Sequence, residues 1–296
     1  MKKMLFIVNP RSGKGQIKSS LLEILDIFHK AGYEPTVHIT QDVLDAKETV
    51  KAKAAEYDSI ACSGGDGTLN ETVSGLLEAG VSVPLCYIPA GSTNDFASSL
   101  KIPKNMKKAA SLIADGRQFQ CDVGSFNERY FNYVAAFGAF TEVSYATPQQ
   151  MKNVLGYQAY IIEGMKKLTS IKPATMIVEH DGERIEGEFL YGMISNSTSV
   201  GGFKKLVGKS VQMDDGVFEV TLIRKPKSTL ELQDILTSII AADMSSETLF
   251  TFKASQLTIY SPAEVPWVLD GEYGGAPREV QVKVKEKALA IFSPQD

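Results

Sequence analysis

The first 120 residues alternate short apolar runs with helix-like segments, and this alternation most constrains the fold. The apolar runs lie at residues 4–8, 35–40, 59–62 and 83–88, and a helix-like segment follows each of them. Strands that alternate with helices form a parallel sheet with helices on both faces. The sequence therefore predicts an N-terminal, doubly wound α/β lobe.

Three of the four predicted strands end in loops rich in glycine and polar residues. These loops read N-P-R-S-G-K-G from Asn9, S-G-G-D-G-T from Ser63 and P-A-G-S-T-N-D-F from Pro89. In a doubly wound sheet, ligands bind beyond the carboxyl ends of the strands. We therefore expect the three loops to meet at one binding crevice.

The G-G-D-G-T loop places a carboxylate among glycines at the start of a predicted helix. Glycine lets backbone N–H groups approach a bulky anion, and a helix N-terminus favours negative charge. Asp66 would repel a phosphate unless a divalent cation such as Mg²⁺ lies between them. The loop thus predicts a nucleotide-phosphate site with a metal. The alternative is a simple turn in which Asp66 or Thr68 caps the helix.

The other two loops extend this hypothesis. Arg11 and Lys14 place positive charge in a glycine-lined turn, although the spacing of a P-loop is absent. The alternative for this loop is a solvated basic turn. Asp95 adds a carboxylate at a neighbouring strand end, which favours a metal network shared with Asp66. The alternative for this third loop is a short helix that a Ser or Thr side chain caps.

Beyond residue 120 the pattern changes to an alternation of apolar and polar residues, which is typical of antiparallel strands. We expect a β-sandwich lobe at residues 121–285, with helical insertions at 149–171 and 229–242. The last apolar run, 288–292, is predicted to return to the first lobe as a strand. Residues 1–120 and 286–296 would then form one domain.

The tripeptide D-G-E occurs twice in the predicted sandwich lobe. The copy at Asp181–Glu183 lies between polar strand-like segments and predicts an ordinary exposed hairpin. The copy at Asp270–Glu272 could also be a plain hairpin turn, but it follows W-V-L and precedes Y-G-G, an apolar, glycine-rich setting that is more typical of a pocket rim.

Composition excludes several classes of protein. A net charge of −4 argues against a protein that coats nucleic acid. The three cysteines form no C-x-x-C pair, which favours a reducing compartment. No apolar run approaches the ~20 residues of a membrane span, and the first run is too short for a signal peptide. We therefore expect a cytoplasmic protein.

Taken together and in order, these loops resemble the diacylglycerol kinase catalytic-domain family, to which the sphingosine kinases are related. The match runs through N-P-R-S-G, S-G-G-D-G-T-L-N-E, P-A-G-S-T-N-D-F-A, I-S-N-S-T-S-V-G-G-F, M-D-D-G-V-F-E-V and L-D-G-E. The resemblance implies an ATP-dependent lipid kinase that binds its nucleotide between the two lobes. Diacylglycerol is the expected acceptor, and phosphatidic acid the expected product.

The resemblance also implies roles for residues, in addition to those that the loops suggest. Catalytic roles would fall to Asp66 and Asp95, in the Mg²⁺ network, and to Asp270 or Glu272 as general base. A further structural Mg²⁺ would be held by Asp215 with backbone oxygens of Gln212 and Val217. The expected nucleotide-binding residues are Asn9, Pro10, Arg11, Ser12, Gly13, Lys14, Thr40, Gly64, Gly65, Asp66, Gly67, Thr68, Asn70, Glu71, Gly91 and Ser92.

The chain departs from the family pattern at Gly201–Phe203 and Gly208–Ser210, and these departures bear on the exact acceptor rather than on the kinase chemistry. The rivals are an NAD kinase with a soluble substrate and a nucleotide-binding regulator without catalysis. Lysine and arginine pairs, among them Lys166-Lys167, Lys204-Lys205 and Arg224-Lys225, would dock the protein transiently on the inner face of the membrane, or would simply be solvated. A homodimer also stays open.

Overall fold

The computed structural model describes residues 1–138, 172–198, 211–241 and 249–295. The chain divides into two compact units. Unit 1 comprises Met1–Val123, Met213–Gly216 and Lys285–Asp296, and unit 2 comprises Gly124–Gln212 and Val217–Val284. The short segment Met213–Gly216 therefore belongs to unit 1, whereas the sequence placed it in the second lobe.

Strands and helices follow in the order that the sequence pattern indicates. In the described part of the chain, the strands are β1 (Lys2–Val8), β2 (Tyr33–Ile39), β3 (Ser59–Gly64), β4 (Leu85–Pro89), β5 (Arg117–Phe126), β6 (Arg129–Phe131), β7 (Val134–Gly138), β8 (Ala174–His180), β9 (Glu183–Ser195), β10 (Phe218–Arg224), β11 (Leu249–Ala254), β12 (Gln256–Tyr260), β13 (Trp267–Leu269), β14 (Glu272–Gly275) and β15 (Glu279–Ser293). The α-helices there are α1 (Ile17–Lys30), α2 (Asp45–Lys53), α3 (Asp66–Ala79), α4 (Asp95–Ser99), α5 (Met106–Asp115) and α6 (Thr229–Ala241).

Unit 1 contains a parallel sheet in the order β2-β1-β3-β4-β15. The five residues from Met4 to Val8 are all buried, as are all six of β3 and all five of β4. A strand that is covered on both faces has no side that tolerates polar residues, which explains the continuous apolar runs. The predicted doubly wound lobe is confirmed.

Four of the five α-helices described in unit 1 form two pairs. Helix α1 packs with α5, and α2 packs with α3. The apolar stripe of α1 buries Ile17, Ile24 and Phe28, as its helical spacing predicts. Helix α3 ends at Gly80, which adopts a left-handed conformation. Helix α3 begins at Asp66, three residues before Leu69, which is its first apolar residue.

Unit 2 is the predicted antiparallel β-sandwich. Strand β9 pairs with β8 along its first half, and with both β7 and β10 along its second half. A buried aromatic cluster fills the core, in which Phe126 and Phe137 pack against Trp267 at ring-centroid distances of 5.1 and 4.9 Å. Helix α6 confirms the second helical insertion, whereas the first, at 149–171, lies outside the described residues.

Strand β15 is a single strand of 15 residues that belongs to both units. Its first residues pair with β12, and Ile291 further along pairs with Leu85 of β4 in parallel. The sequence predicted a separate strand at 288–292, and the structure joins this run to the preceding residues as one strand. In the described residues, no helix is long and apolar enough to cross a membrane.

Candidate active site

The loops that follow β1 and β3 are bonded to each other. The backbone N–H of Asn9 donates to the carbonyl of Ser63 at 2.9 Å, and the Asn9 amide donates to Thr68 Oγ1 at 2.9 Å. In the same loop, Ser12 Oγ accepts a hydrogen bond from the Gly65 N–H at 3.2 Å. Adjacent parallel strands thus bring the first two predicted loops together.

The loop that follows β4 joins the same cluster. The Ala90 N–H donates to the carbonyl of Gly64 at 2.8 Å. Gly13 has a φ of +53°, and a Cβ at this position would lie 1.8 Å from the Ala90 carbonyl oxygen. A Cβ on Gly91 would lie 2.7 Å from the Cα of Gly65. Only glycine permits these approaches of backbone to backbone.

Asn94 in the loop after β4 and Tyr87 in β4 itself make hydrogen bonds that hold the loop cluster in shape. Asn94 is buried, and its backbone is in the left-handed region with a φ of +52°. Its side-chain Oδ1 accepts from the Gly91 N–H at 2.9 Å, and its Nδ2 donates to the Gly91 carbonyl at 2.8 Å. Tyr87 donates to the Gly64 carbonyl at 3.1 Å. Burial raises the pKa of Tyr87 well above its ordinary value, and the charge of Asp66 adds to this shift, so the hydroxyl stays a donor.

Asp66 lies in the first turn of α3, and one carboxylate oxygen accepts from Thr93 Oγ1 at 3.2 Å. Gly65 is the N-cap residue, and a glycine has no side chain that could cap the helix end. Thr68 instead receives its hydrogen bond from Asn9. The alternative in which Asp66 or Thr68 serves as the cap is therefore not observed. The first N–H groups of the 14-residue helix lie in the glycine cluster, as a phosphate site requires.

The loop cluster carries two carboxylates, Asp66 and Asp95, the type of oxygen donor that Mg²⁺ binds. Asp95 begins α4 at the end of the neighbouring strand and is only 4% exposed. Within the described residues, no three His, Cys, Asp or Glu side chains form a group that could hold a metal. Mg²⁺ does not need such a group, because it commonly binds one or two carboxylates together with phosphate oxygens and water.

The other predicted nucleotide residues lie on the same loops or on neighbouring elements. Thr40 is buried at the end of β2, where its N–H donates to the Val8 carbonyl at 2.9 Å. Arg11 and Ser92 are exposed. Glu71 directs its carboxylate to the start of α2, where it accepts from the Leu44 N–H at 3.0 Å. Pro10, Gly67 and Asn70 lie on the same loops or on the first turns of α3, and the backbone of Lys14 lies in a 3-10 turn that spans Ser12–Gly15.

In unit 2, the two carboxylates of the second D-G-E tripeptide have opposite environments: Asp270 is buried and Glu272 is exposed. Asp270 is 3% exposed, and it accepts from the N–H groups of Asn132 at 2.6 Å, Tyr133 at 3.0 Å and Val134 at 3.1 Å. Glu272, two residues further on at the start of β14, is exposed. The turn is thus held by Asp270 and presents Glu272 to solvent.

A buried carboxylate that the sequence did not single out holds the predicted structural-metal turn. Asp122 is fully buried in unit 1, and its two oxygens accept from the N–H groups of Gly216 and Lys287, both at 2.7 Å. Its own N–H donates to the Met213 carbonyl at 2.8 Å. Asp215 is exposed on this turn, between the flanking residues Gln212 and Val217.

Sequence reasoning missed the roles of Tyr87, Thr93 and Asp122. A usable signal existed for Asp122, because a carboxylate in the apolar run C-D-V-G must have a buried partner. Tyr87 gave no signal, since a tyrosine in a buried strand is ordinary. The departures from the family pattern at residues 201–203 and 208–210 lie outside the described residues.

Comparison with protein-family models gives two matches. Residues 3–126 match the diacylglycerol kinase catalytic domain. Residues 135–293 match the YegS C-terminal NAD kinase beta sandwich-like domain. The two matches fall largely on the N-terminal α/β region and on the sandwich region, respectively.

Curated relatives cover almost the whole chain. A diacylglycerol kinase of Bacillus subtilis (strain 168) is 35% identical over 277 residues, which cover 93% of this chain and 91% of the relative. A diacylglycerol kinase of Staphylococcus aureus (strain bovine RF122 / ET3-1) is 35% identical over 297 residues, with 100% and 93% covered.

Solved structures agree in fold. A crystal structure described as that of a diacylglycerol kinase from Bacillus anthracis str. Sterne superposes with a TM-score of 0.82, at 26% identity, over 99% of this chain and 95% of that one. A second from the same organism gives a TM-score of 0.80 at 24% identity, over 100% and 99%, and supports the fold alone.

A glycine-loop cluster on a doubly wound sheet, followed by a β-sandwich and matched by these relatives, defines a phosphotransferase with an alcohol group as acceptor. The chain belongs to the diacylglycerol kinase family, and it is a lipid kinase.

Proposed function

We propose that this protein transfers the γ-phosphoryl group of ATP to the free hydroxyl of diacylglycerol and so forms phosphatidic acid. The observation that carries the proposal is the meeting of three glycine loops at the ends of β1, β3 and β4, beside the N-terminus of α3. Such a cluster suits a chain of phosphate groups, because its backbone N–H groups and the helix end all favour negative charge.

In this proposal, the chain binds the triphosphate mainly through backbone. The close contacts of Gly13 with Ala90, and of Gly91 with Gly65, leave no side-chain bulk where the loops meet, so N–H groups can lie against phosphate oxygens. Asn9, Tyr87 and Asn94 keep the loops in this shape through their hydrogen bonds. Phosphoryl transfer depends largely on such positioning and on charge neutralisation.

Asp66 and Asp95 would hold the catalytic Mg²⁺, and Lys14 would join the surrounding network of the ion and its water without binding the ion itself. Asp215, with backbone oxygens of Gln212 and Val217, would hold a structural one. When bound, the catalytic ion neutralises charge on the phosphate oxygens. Thr93 orients Asp66 through its hydroxyl, and Asp122 holds the turn that carries Asp215. The oxygen-only donor set suits magnesium rather than zinc or copper.

We assign the general base to Glu272 rather than Asp270. Asp270 already accepts three backbone N–H groups, and its role is to position the turn. Glu272 would take the proton from the acceptor hydroxyl as the acceptor oxygen bonds to the γ-phosphorus. The bond from that phosphorus to the β,γ-bridging oxygen breaks, and ADP leaves.

Diacylglycerol is proposed as the acceptor because the curated relatives carry that name. The proposed acceptor lies in a lipid bilayer. We therefore propose a cytoplasmic protein that contacts the inner face of the membrane transiently. Of the basic residues proposed for docking, Arg224 lies over the Phe250 ring at 4.7 Å and Lys225 pairs with Glu188 at 3.0 Å, so both already have partners within the chain. The other proposed docking pairs lie outside the described residues. A homodimer remains a proposal.

The test is a transfer assay with labelled ATP and Mg²⁺ on mixed micelles, with diacylglycerol, monoacylglycerol, ceramide, sphingosine and phosphatidylglycerol as acceptors and NAD as a soluble one. We expect transfer to diacylglycerol. Transfer to NAD alone would identify an NAD kinase, and ATP binding without any transfer would identify a regulator.

Two substitutions test the assigned residues in the same assay. Asp66→Ala should abolish transfer without unfolding the protein, because a carboxylate in this loop adds little to stability. Glu272→Gln should lower kcat by about 10²–10⁴, the usual contribution of a general base. Full activity in Glu272→Gln would contradict the assignment of the base.

A further inference from the structure

Asn132 is a buried amide of unit 2 whose side chain is bonded to nothing else in the described chain. It is 1% exposed, and neither its Oδ1 nor its Nδ2 has a hydrogen-bond partner there. A buried amide without a partner bears the full cost of leaving water, and folded proteins contain few of them. The donor and the acceptor of Asn132 are therefore available to a ligand.

The backbone places Asn132 beside the turn that carries the proposed base. Its N–H donates to Asp270 Oδ2 at 2.6 Å, and Asp270 holds the turn that presents Glu272 to solvent. A single hydrogen bond thus joins Asn132 to the residue two positions before the base.

A row of buried polar side chains crosses the sheet from this place. Val134 pairs with Ser195 of β9, and Ser195 pairs with Glu219 of β10. Their sequence neighbours Ile194 and Val220 belong to the apolar core of the sandwich. Because successive residues of a strand point to opposite faces of a sheet, Ser195 and Glu219 face away from that core. They are nevertheless 0% and 9% exposed, so this face is both buried and polar.

The other members of this polar group are bonded within the chain. Ser195 Oγ donates to the Glu219 carbonyl at 3.5 Å, and Glu219 Oε1 pairs with Lys253 at 3.1 Å. The apolar core includes Phe131, the residue before Asn132, but not Asn132 itself. Of Asn132, Ser195 and Glu219, Asn132 is thus the one whose side chain retains its full bonding capacity.

The chemistry of the proposed acceptor matches a free amide. Diacylglycerol carries an ester on the carbon next to its hydroxyl-bearing carbon, and an ester carbonyl oxygen accepts hydrogen bonds but donates none. The Nδ2 of an asparagine is a donor. A site with a buried donor rejects a substrate that lacks the acceptor, because the donor is then left unpaired. An amide beside the base can therefore distinguish an ester lipid from one without a carbonyl.

We propose that Asn132 is a specificity-determining residue for the acceptor, and that its Nδ2 donates to the carbonyl oxygen of the ester beside the reacting hydroxyl. This inference rests on the proposed transfer to diacylglycerol and refines it. The bond from the Asn132 N–H to Asp270 then links recognition of the ester to the turn that carries the base.

The test compares two acceptors in the labelled-ATP assay on mixed micelles, a 1,2-diacylglycerol and the 1,2-dialkylglycerol of the same chain length. The dialkyl lipid keeps the hydroxyl and both chains, but ethers replace its esters, so it has no carbonyl oxygen. We expect the wild type to prefer the diacyl lipid about tenfold in kcat/KM. Asn132→Leu should lose this preference, with kcat/KM about tenfold lower for the diacyl lipid and within about twofold for the dialkyl lipid.

A second variant and a control accompany this measurement. Asn132→Asp replaces the donor by an oxygen and should remove the preference in the same way. The ratio of the two kcat/KM values is measured on one preparation, so it does not depend on the fraction of folded enzyme. Asn127→Leu is the matched control, because Asn127 is an exposed amide nearby in sequence whose side chain is already bonded to the Glu279 carbonyl at 3.2 Å and to the Gln281 N–H at 2.8 Å. It should keep the wild-type ratio.

Each outcome bears on the inference. An equal loss for both acceptors in the two Asn132 variants would indicate a structural role alone and overturn the inference. Equal kcat/KM for the two acceptors in the wild type would refute recognition of the ester, while transfer to a lipid hydroxyl stands. If the wild type phosphorylates neither acceptor, the proposed function and this inference fail together.

Discussion

At the scale of single residues, the site depends on places where a side chain is absent. Gly13 approaches the Ala90 carbonyl so closely that a Cβ would lie 1.8 Å from its oxygen. This contact joins the loop after β1 to the loop after β4. Any larger residue must push the two loops apart, and the polar contacts between Ser12 and Gly65 would separate with them.

Gly13→Ala should therefore abolish phosphoryl transfer, because the loops can no longer meet. Gly32 offers a matched control: it also has a positive φ, +88°, but a Cβ there would meet no atom within 4 Å. Gly32→Ala should cost about 1 kcal/mol of stability through its φ alone and should keep its activity. Transfer assays and thermal unfolding of both variants check this. Equal activity in the two would contradict the steric argument.

At the scale of elements, two hairpins show how far local sequence determines structure. Both D-G pairs form two-residue turns between antiparallel strands, β8–β9 and β13–β14. The φ values are +47° and +82° at Asp181 and Gly182, and +50° and +89° at Asp270 and Gly271. The predicted exposed hairpin at Asp181 is confirmed, and Asp270 has the same turn in a buried setting.

Asp270→Asn should lower the free energy of unfolding by about 2 kcal/mol, because a carboxylate that accepts three backbone N–H groups loses its charge and one of its acceptor oxygens. Asp181→Asn makes the same change in an exposed turn of the same shape, and it should stay within about 0.5 kcal/mol of the wild type. Urea unfolding curves measure both. A similar loss in both variants would mean that the three bonds of Asp270 add no stability.

At the scale of the whole molecule, the C-terminal strand completes the N-terminal unit. Strand β15 starts in unit 2 and ends in unit 1, where its last residues are buried beside β4. Unit 1 also recruits Met213–Gly216, whose turn is bonded to Asp122. The first 123 residues are therefore not a complete folding unit, since two distant segments supply part of their core and of their loop support.

Ile291→Ala should destabilise unit 1 by about 3 kcal/mol, because the side chain is fully buried at the pairing with Leu85. Leu22→Ala removes similar apolar bulk from an 82% exposed position of α1 and should change stability by less than about 0.5 kcal/mol. The helical circular dichroism signal follows the unfolding, because five of the six described helices lie in unit 1. Equal transitions in the two variants would show that β15 adds nothing to this unit.

The sequence by itself determined the strand and helix order, the three glycine loops and the shapes of both D-G turns. These features follow from apolar periodicity and from the backbone preferences of neighbouring residues, which act over a few positions. For the same reason, the loops could be expected at one edge of the sheet once the strands were known to be parallel.

Only the tertiary structure decided which carboxylates serve which purpose. Asp270 meets the N–H of Asn132 across 138 positions of sequence, Asp122 meets that of Lys287 across 165, and Glu71 meets that of Leu44 across 27. Whether an aspartate or a glutamate holds a backbone segment or faces solvent depends on burial and on partners that distant parts of the chain bring to it. The residues next to each acid in the sequence do not identify those partners. Aspartates and glutamates with similar local sequence therefore take different roles only in the folded chain.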